Sequence, residues 1–302
     1  MKLYYYKGTT PNFGDDLNPW MWTRLTPDAF FDDDDSELFV GIGSILDARL
    51  PKSAKKYVFG SGYGGYNELV DVNGENWDIR FVRGPDTAKA VGAPEGSAIS
   101  DSAILLRAIE GLPEPTGSVG IALIPHFRSL RNGDWFDLSR RAGLTLIDPR
   151  SDVETVLSQI AGADLVVTEA MHGAIVADAL RTPWLALEPK DVKHRMKWND
   201  WAASLEIDLQ AHKMPSLSLI DWYIGKTEGL KYYEGKARAI QNSALAKPVN
   251  LIFRVQAARI LKRLIKTHVP QLSDDSIIAE RTQRALSIVN TFIEERSGKS
   301  AI

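Results

Sequence analysis

The segment around His172 carries the residue types that acid–base chemistry needs. Ala163–Thr168 reads as a buried strand, a short turn then carries Glu169 and His172, and a helix is predicted from Gly173. Imidazole and carboxyl groups at such a turn can donate or accept protons, and the free N–H groups of the following helix can bind an anion. The alternative interpretation is that His172 caps the helix or forms hydrogen bonds within the turn.

A similar turn follows the first predicted strand. Gly14 would let the backbone approach a ligand closely, and Asp15 or Asp16 could accept a hydrogen bond from a sugar hydroxyl or take its proton. Simple helix capping by Asn12 or by an Asp is the competing interpretation.

Further polar residues follow other predicted strands. Arg83 comes directly after the strand 79–82, so we expect its side chain at a ligand crevice, and a surface ion pair is the alternative. Asp101 lies in a similar strand-to-helix turn, where it would contact a ligand or cap a helix. His126 and Arg128 follow another buried strand.

A cationic run precedes two tryptophans in the second half of the chain. It comprises Lys190, Lys193, His194, Arg195 and Lys197. Runs of charge usually form solvated faces, but this one follows a predicted strand end and therefore predicts a phosphate or carboxylate site. The acidic run 32–35 lacks the spacing of a calcium loop, and we predict no metal site.

These residues need a scaffold, and short apolar runs that alternate with helical patterns supply one. The alternation predicts an α/β protein with parallel sheets. The segment 110–117 contains two prolines and two glycines, which is typical of a linker. We therefore predict two Rossmann-like domains, 1–112 and 113–230, with a ligand in the cleft between them, and a C-terminal helical extension over 231–302.

Composition excludes several classes of protein. The 302 residues include 36 Lys and Arg against 39 Asp and Glu, and this balance argues against a dedicated nucleic-acid binder. Since the chain has no cysteine, disulfides, thiolate zinc sites and cysteine nucleophiles are excluded. We find no signal-peptide core at the start and no apolar stretch of membrane-spanning length, so we expect a cytoplasmic protein.

The basic charge is concentrated near the C-terminus. Residues 231–302 hold 13 Lys and Arg against 6 Asp and Glu, and the segment 249–267 contains no acidic residue. Apolar residues recur there at helical spacing, namely Leu251, Ile252, Val255, Ala258, Leu261 and Ile265. A basic amphipathic helix can make a peripheral contact with the inner membrane. The alternative is that its apolar face packs on the rest of the protein.

Taken together and in order, six segments resemble the polysaccharide pyruvyl transferase family, especially its exopolysaccharide ketal-forming members. The segments are 12–16, 41–46, 83–84, 100–103, 169–173 and 193–201. The resemblance implies a two-domain GT-B-like fold. It also implies an enzyme that transfers the enolpyruvyl part of phosphoenolpyruvate to a sugar diol and forms a cyclic pyruvate ketal.

The resemblance further implies roles for single residues. His172 would be the general acid, and Asp15 would orient or deprotonate the acceptor, with phosphoenolpyruvate as co-substrate and no cofactor. The N-terminal domain would bind the acceptor, a lipid-linked oligosaccharide or other glycan, and the C-terminal domain the donor; no nucleic acid is expected. The substrate-binding candidates are Asn12, Gly14, Asp16, Arg83, Asp101, His126, Arg128, Glu169, Lys193, His194, Arg195 and Lys197.

One position departs from the family pattern. Several relatives have Arg two residues before the catalytic His, whereas this chain has Ala170. The donor's anionic groups would then be held by other cations, for which Arg128, Lys193, Arg195 and Lys197 are the candidates. Two alternatives remain from the sequence, a GT-B glycosyltransferase that uses a nucleotide sugar and a non-catalytic sugar-binding protein on the same fold.

Overall fold

A computed structural model describes residues 1–190, 193–226 and 243–299. The protein is a mixed α/β protein with two parallel sheets, and its chain divides into two compact units. The first unit comprises Met1–Pro113, Met196–Leu209 and Ser273–Ile302, and the second comprises Glu114–Arg195 and Gln210–Leu272. The division between Pro113 and Glu114 falls within the predicted linker.

The first unit is built on a four-stranded sheet whose strands lie side by side in chain order. The strands are β1 (Lys2–Tyr4), β2 (Glu37–Val40), β3 (Lys55–Phe59) and β4 (Trp77–Phe81), joined in part by α1 (Phe13–Leu25) and followed by α2 (Pro85–Val91) and a 3-10 helix (Ser102–Ala108). Aromatic side chains fill the core on one side of this sheet. The rings of Phe39 and Phe59 stack at 4.4 Å, and Trp22 meets Phe39 edge-on at 4.6 Å.

The second unit is built on a five-stranded parallel sheet with the order β6-β5-β7-β8-β9. Its strands are β5 (Gly120–Ile124), β6 (Thr145–Leu146), β7 (Ala163–Thr168), β8 (Trp184–Glu188) and β9 (Ala211–Lys213). Strand β5 pairs with β6 on one side and with β7 on the other. The direction of sheet growth therefore reverses between β5 and β7. Ligands of doubly wound sheets bind at the carboxyl ends of the strands at such a reversal.

Helices complete both units. They are α3 (Trp135–Ala142), α4 (Val153–Ala161), α5 (Met171–Ala179), α6 (Lys193–Ser204), α7 (Leu219–Lys226), α8 (Ala246–Thr267) and α9 (Asp275–Lys299). Helix α4 begins after Asp152, whose Oδ1 accepts a hydrogen bond from the N–H of Thr155 at 2.9 Å. The predicted start of α5 at Gly173 was wrong by two residues, because the helix begins at Met171.

The predicted C-terminal extension is not a unit of its own. Helix α8 packs against α3 in the second unit, whereas α9 packs against the 3-10 helix in the first. Each helix has an apolar stripe that a neighbouring layer buries, through Leu261 and Leu264 on α8 and through Val289 and Phe292 on α9. The helices predicted as one C-terminal extension are therefore divided between the two units, and the boundary predicted at 231 lies outside the described residues.

Candidate active site

The carboxyl ends of β5, β7 and β8 bring ionisable residues to one edge of the second sheet. His126 follows β5, Glu169 and His172 follow β7, and Lys190 follows β8. The N–H of His126 donates to Oε2 of Glu169 at 3.2 Å, and the N–H of Glu169 donates to the carbonyl of Ile124 at 2.9 Å. The turns after β5 and β7 are thus joined directly, at the point where the sheet order reverses.

The Glu169 carboxyl is buried and its pKa is raised by the fold. The side chain is 3% exposed. Burial raises the pKa of the Glu169 carboxyl from 4.5 to about 7, although a hydrogen bond from Ser129, the charge of Lys190 and the N–H of His126 act in the opposite direction. A carboxyl group that titrates near neutrality is suited to proton transfer. The sequence placed Glu169 at a turn but gave no signal of this pKa, because burial depends on the fold.

A compact turn holds Glu169 and His172 in place. The hydroxyl of Thr168 accepts from the N–H of Ala170 at 3.0 Å and is 3.1 Å from the carbonyl of Ile124, to which it donates. A Cβ atom at Gly173 would lie 2.5 Å from that hydroxyl, so only glycine fits there. His172 is the second residue of α5 and is half-buried.

The imidazole of His194 joins the same edge. Its ring lies 4.9 Å from the ring of His126, in an edge-on arrangement, and its side chain is buried. Lys190 forms an ion pair with Asp221 of α7, a buried carboxylate that also accepts from the N–H of Leu217 at 2.8 Å. The carboxylate of Asp221 therefore partly neutralises the charge of Lys190 within the protein.

Two of the predicted donor-binding cations are exposed in the second unit. Arg128 lies with its guanidinium carbon 5.5 Å from the ring centre of Phe127, and Arg195 contacts Glu188 at 3.1 Å through its Nε. The side chain of Lys193 lies outside the described residues. Lys197 is half-buried and belongs to the first unit, so the predicted run does not form a single patch within one unit.

The first unit holds the predicted acceptor-side residues at the start of α1. Nδ2 of Asn12 donates to Oδ2 of Asp15 at 2.8 Å, and the Asn12 side chain does not cap the helix. The interpretation of Asn12 as a side-chain cap was therefore wrong. Asp15 and Asp16 are half-buried, whereas Gly14 is buried.

Sequence reasoning missed Asn18, which fixes this turn. Asn18 is fully buried. Its Nδ2 donates to the carbonyls of Asp15 at 3.1 Å and Ile42 at 3.0 Å, and its Oδ1 accepts from the N–H of Ile42 at 2.8 Å. A Cβ atom at Gly41 would lie 2.6 Å from that Oδ1, so this glycine serves packing. A single polar residue within a helical pattern gives no sequence signal of such a role.

The expectation for Arg83 was wrong. Its side chain is fully buried, and its Nε donates to Asp200 at 2.9 Å, its Nη1 to the hydroxyl of Ser44 at 2.7 Å and its Nη2 to the carbonyl of Tyr63 at 2.8 Å. A Cβ atom at Gly62 would lie 2.2 Å from the guanidinium carbon. Arg83 therefore lies neither at an open crevice nor in a surface ion pair, because Asp200 and the carbonyl of Tyr63 bind its guanidinium group inside the protein.

Asp101 is also fully buried, and the structure supports its capping interpretation. Its Oδ1 accepts from the N–H of Ala103 at 3.0 Å at the start of the 3-10 helix. Because the Asp101 carboxylate is buried, it is not accessible for the ligand contact that the sequence predicted. Within the described residues, no group of three or more His, Asp or Glu side chains is placed to hold a metal ion.

Comparison with known proteins identifies the class. The chain belongs to the polysaccharide pyruvyl transferase family, whose model matches residues 4–191. The succinoglycan biosynthesis protein ExoV of Rhizobium meliloti (strain 1021) is 34% identical and aligns over 96% of this chain and 98% of its own length. The protein is therefore a pyruvyltransferase, an enzyme with a pyruvate donor and a polysaccharide acceptor.

Among solved structures, the H444N variant of the wall teichoic acid polymerase TagF is similar over 87% of this chain and 74% of its own, with 13% identity and a TM-score of 0.35. A CDPG-soaked structure of that variant has 11% identity and a TM-score of 0.33, over 86% of this chain and 74% of its own. Both similarities are too weak to assign the fold. No helix in the described ranges combines the length and apolarity needed to cross a bilayer.

Proposed function

We propose that this enzyme transfers pyruvate from phosphoenolpyruvate to two hydroxyl groups of one sugar, giving a cyclic ketal and inorganic phosphate. The acceptor is a precursor of an exopolysaccharide or other cell-surface polysaccharide, in the form of a lipid-linked oligosaccharide or another glycan. Membership of the pyruvyltransferase family supports the transfer itself. The joined turns at the order reversal of the second sheet are the observation that supports donor binding in that unit.

The wider proposal retains three expectations from the sequence. The two units are Rossmann-like domains of a GT-B-like protein, with the acceptor bound by the first and the donor by the second. The reaction needs no cofactor beyond phosphoenolpyruvate as co-substrate. The enzyme works in the cytoplasm, where phosphoenolpyruvate and the precursor meet.

The reaction requires proton transfers but no net proton. Protonation of the methylene carbon makes it a methyl group and builds positive charge on the carbon that carries the phosphate. One sugar hydroxyl attacks that carbon, phosphate leaves with the electrons of its C–O bond, and the second hydroxyl closes the ring. The two hydroxyl protons balance the proton gained by carbon and the proton that leaves with phosphate.

His172 is the general acid of the proposal, and Asp15 orients or deprotonates the acceptor. His172 is the second residue of α5 and follows Glu169 by three residues, so both groups lie at the same strand end.

Exposed arginines hold the donor in this proposal. Phosphoenolpyruvate carries a phosphate and a carboxylate, and the planar guanidinium group matches both with paired donors. Arg128 follows β5 and Arg195 lies near the start of α6, and both are exposed. His126 and His194 pack against each other beside Glu169 and line the same edge.

Two measurements test the proposal. Phosphoenolpyruvate should raise the melting temperature of the protein, whereas a nucleotide sugar should not. With candidate lipid-linked oligosaccharides, the protein should release inorganic phosphate from phosphoenolpyruvate. Stabilisation by a nucleotide sugar alone would contradict the choice of donor.

The role of His172 is tested by replacing it. His172→Gln should lower turnover about 10²–10⁴-fold, the usual contribution of general acid catalysis, while phosphoenolpyruvate still stabilises the variant. His268→Gln, at an exposed histidine in the same unit, is the matched control and should keep wild-type turnover. A His172→Gln variant within a few-fold of the wild type would exclude the acid role.

A further inference from the structure

Exposed large apolar side chains concentrate on three helices of the second unit. Helix α8 packs against both α3 and α7. The exposed residues are Phe136 on α3, Trp222 and Tyr223 on α7, and Leu245, Val249, Leu251, Ile252 and Ile260 at or on α8. Phe136 is 70% exposed and Ile252 is 59% exposed, although both are residue types that usually lie inside proteins.

Helix α8 uses its other face to pack on the protein. Ala257, Ala258, Leu261 and Leu264 are buried in the core of the second unit. The packing interpretation of the sequence is therefore confirmed for this part of the predicted apolar face. It does not account for Leu251 and Ile252, which remain exposed.

Basic residues continue the exposed face of α8 toward its C-terminus. Arg259, Lys262, Arg263 and Lys266 are all exposed, and the helix contains no acidic residue. Ile252, Arg259 and Arg263 share one face, because separations of seven and four residues correspond to about two turns and one turn of a helix. The exposed surface of α8 is thus mainly apolar in its first half, where Lys247 is also exposed, and mainly basic in its second, where Ile260 is also exposed.

Most acidic residues on the neighbouring helices are neutralised within the protein. Asp137 of α3 accepts from Arg140, Arg141 and Arg254, and Asp221 of α7 is buried and pairs with Lys190. Asp134 is exposed but caps the N-terminus of α3, where its Oδ1 accepts from the N–H of Asp137. The positive charge of α8 is therefore little offset by its neighbours.

A cavity of about 630 Å³ lies where the residues preceding α3 and α7 meet the first half of α8. Its walls include Asp134, Ser218 and Leu251. Two cations, Lys247 and Arg254, also line it. Among the exposed apolar residues, Leu251 lines this cavity directly, next to the starts of α3 and α7.

We propose that the exposed faces of α3, α7 and α8 form a docking surface for an anionic lipid bilayer. The aromatic and aliphatic side chains enter the interface between lipid headgroups and acyl chains, and the basic side chains of α8 contact lipid phosphates. The pairing of a positive face with anionic headgroups selects this occupant over a neutral apolar partner. The inference uses only this surface and does not depend on the donor or acceptor of the reaction.

Co-sedimentation of the full chain with vesicles tests the docking surface. The chain should bind vesicles of phosphatidylcholine with 30% phosphatidylglycerol and should not bind pure phosphatidylcholine. Lys262→Glu/Arg263→Glu/Lys266→Glu should lower the partition coefficient by more than about 100-fold, since each lost cation costs about fivefold and the added carboxylates are repelled by the lipid. High salt should also release the protein, because it screens exposed charges.

Two further variants separate the surface from the net charge. Lys52→Glu/Lys55→Glu/Lys89→Glu reverses three exposed lysines of the first unit and should leave binding unchanged. Ile252→Ser should weaken binding while both basic sets are intact, and circular dichroism checks that each variant is folded. Absence of binding, or equal loss with both triple variants, would overturn the proposal. So would self-association of the wild type that Ile252→Ser abolishes without any vesicle binding, which would make this face a contact between copies.

Discussion

The buried carboxyl of Glu169 makes the stability of the second unit depend on pH in a direction that can be derived. Burial raises the pKa of this group from 4.5 to about 7. Between these two values the folded chain keeps the proton that the unfolded chain has lost. Because the folded state then binds more protons, the contribution of Glu169 to the free energy of unfolding falls as the pH rises from about 4.5 to about 7.

The size of the effect follows from the same shift. At about 1.4 kcal/mol for each pH unit, the fall amounts to about 3 kcal/mol once the folded carboxyl is ionised. Glu169→Gln removes the titration and keeps an oxygen that can accept from the N–H of His126. The free energy of unfolding of the variant, relative to the wild type, should therefore increase by about that amount across this pH range.

Urea unfolding at a series of pH values from 5 to 8, followed by circular dichroism, measures this difference. Glu114→Gln, at an exposed carboxylate in the same unit, is the control and should follow the wild type at every pH. A difference between Glu169→Gln and wild type that stays constant with pH would refute the reasoning. A difference that grows as the pH falls would mean that the fold favours the ionised carboxylate.

Two further predictions concern the arginines. Asp200→Asn leaves the buried guanidinium of Arg83 without its counter-charge, which should destabilise the first unit by about 3–5 kcal/mol in urea unfolding, and wild-type stability would show that the pair is dispensable. Arg128→Gln and Arg195→Gln should weaken phosphoenolpyruvate binding, measured by calorimetry, about tenfold or more for at least one of them, since a charge-assisted hydrogen bond contributes about 1.5–3 kcal/mol. Unchanged affinity in both variants would place the anion site elsewhere.

Much of the fold could be predicted because its signals are local. Apolar runs such as that of β7 and breakers such as those in 110–117 mark strands and linkers within a few residues. The order of strands is not local. The reversal between β5 and β7 depends on which distant strands pair, and no pattern within either strand encodes that choice.

The sequence predicted where candidate residues lie relative to the strands but not the environment of their side chains. The sequence placed Glu169 and His172 at a strand end, yet the pKa of Glu169 depends on side chains that come from other turns. The environment of Arg83 could not be predicted either. Its partner Asp200 lies 117 positions further along the chain, so the sequence predicted a ligand contact for a residue that is a buried structural cation.

The turn after β7 has a small, buried residue at position 170. Ala170, where the family pattern predicts Arg, donates its N–H to the hydroxyl of Thr168 at 3.0 Å. A small side chain suits this packed turn. In the proposed reaction the positive charge for the anionic donor therefore comes from neighbouring segments, where Arg128 after β5 and Arg195 in α6 are exposed. The donor-affinity measurements on these two arginines test that assignment directly.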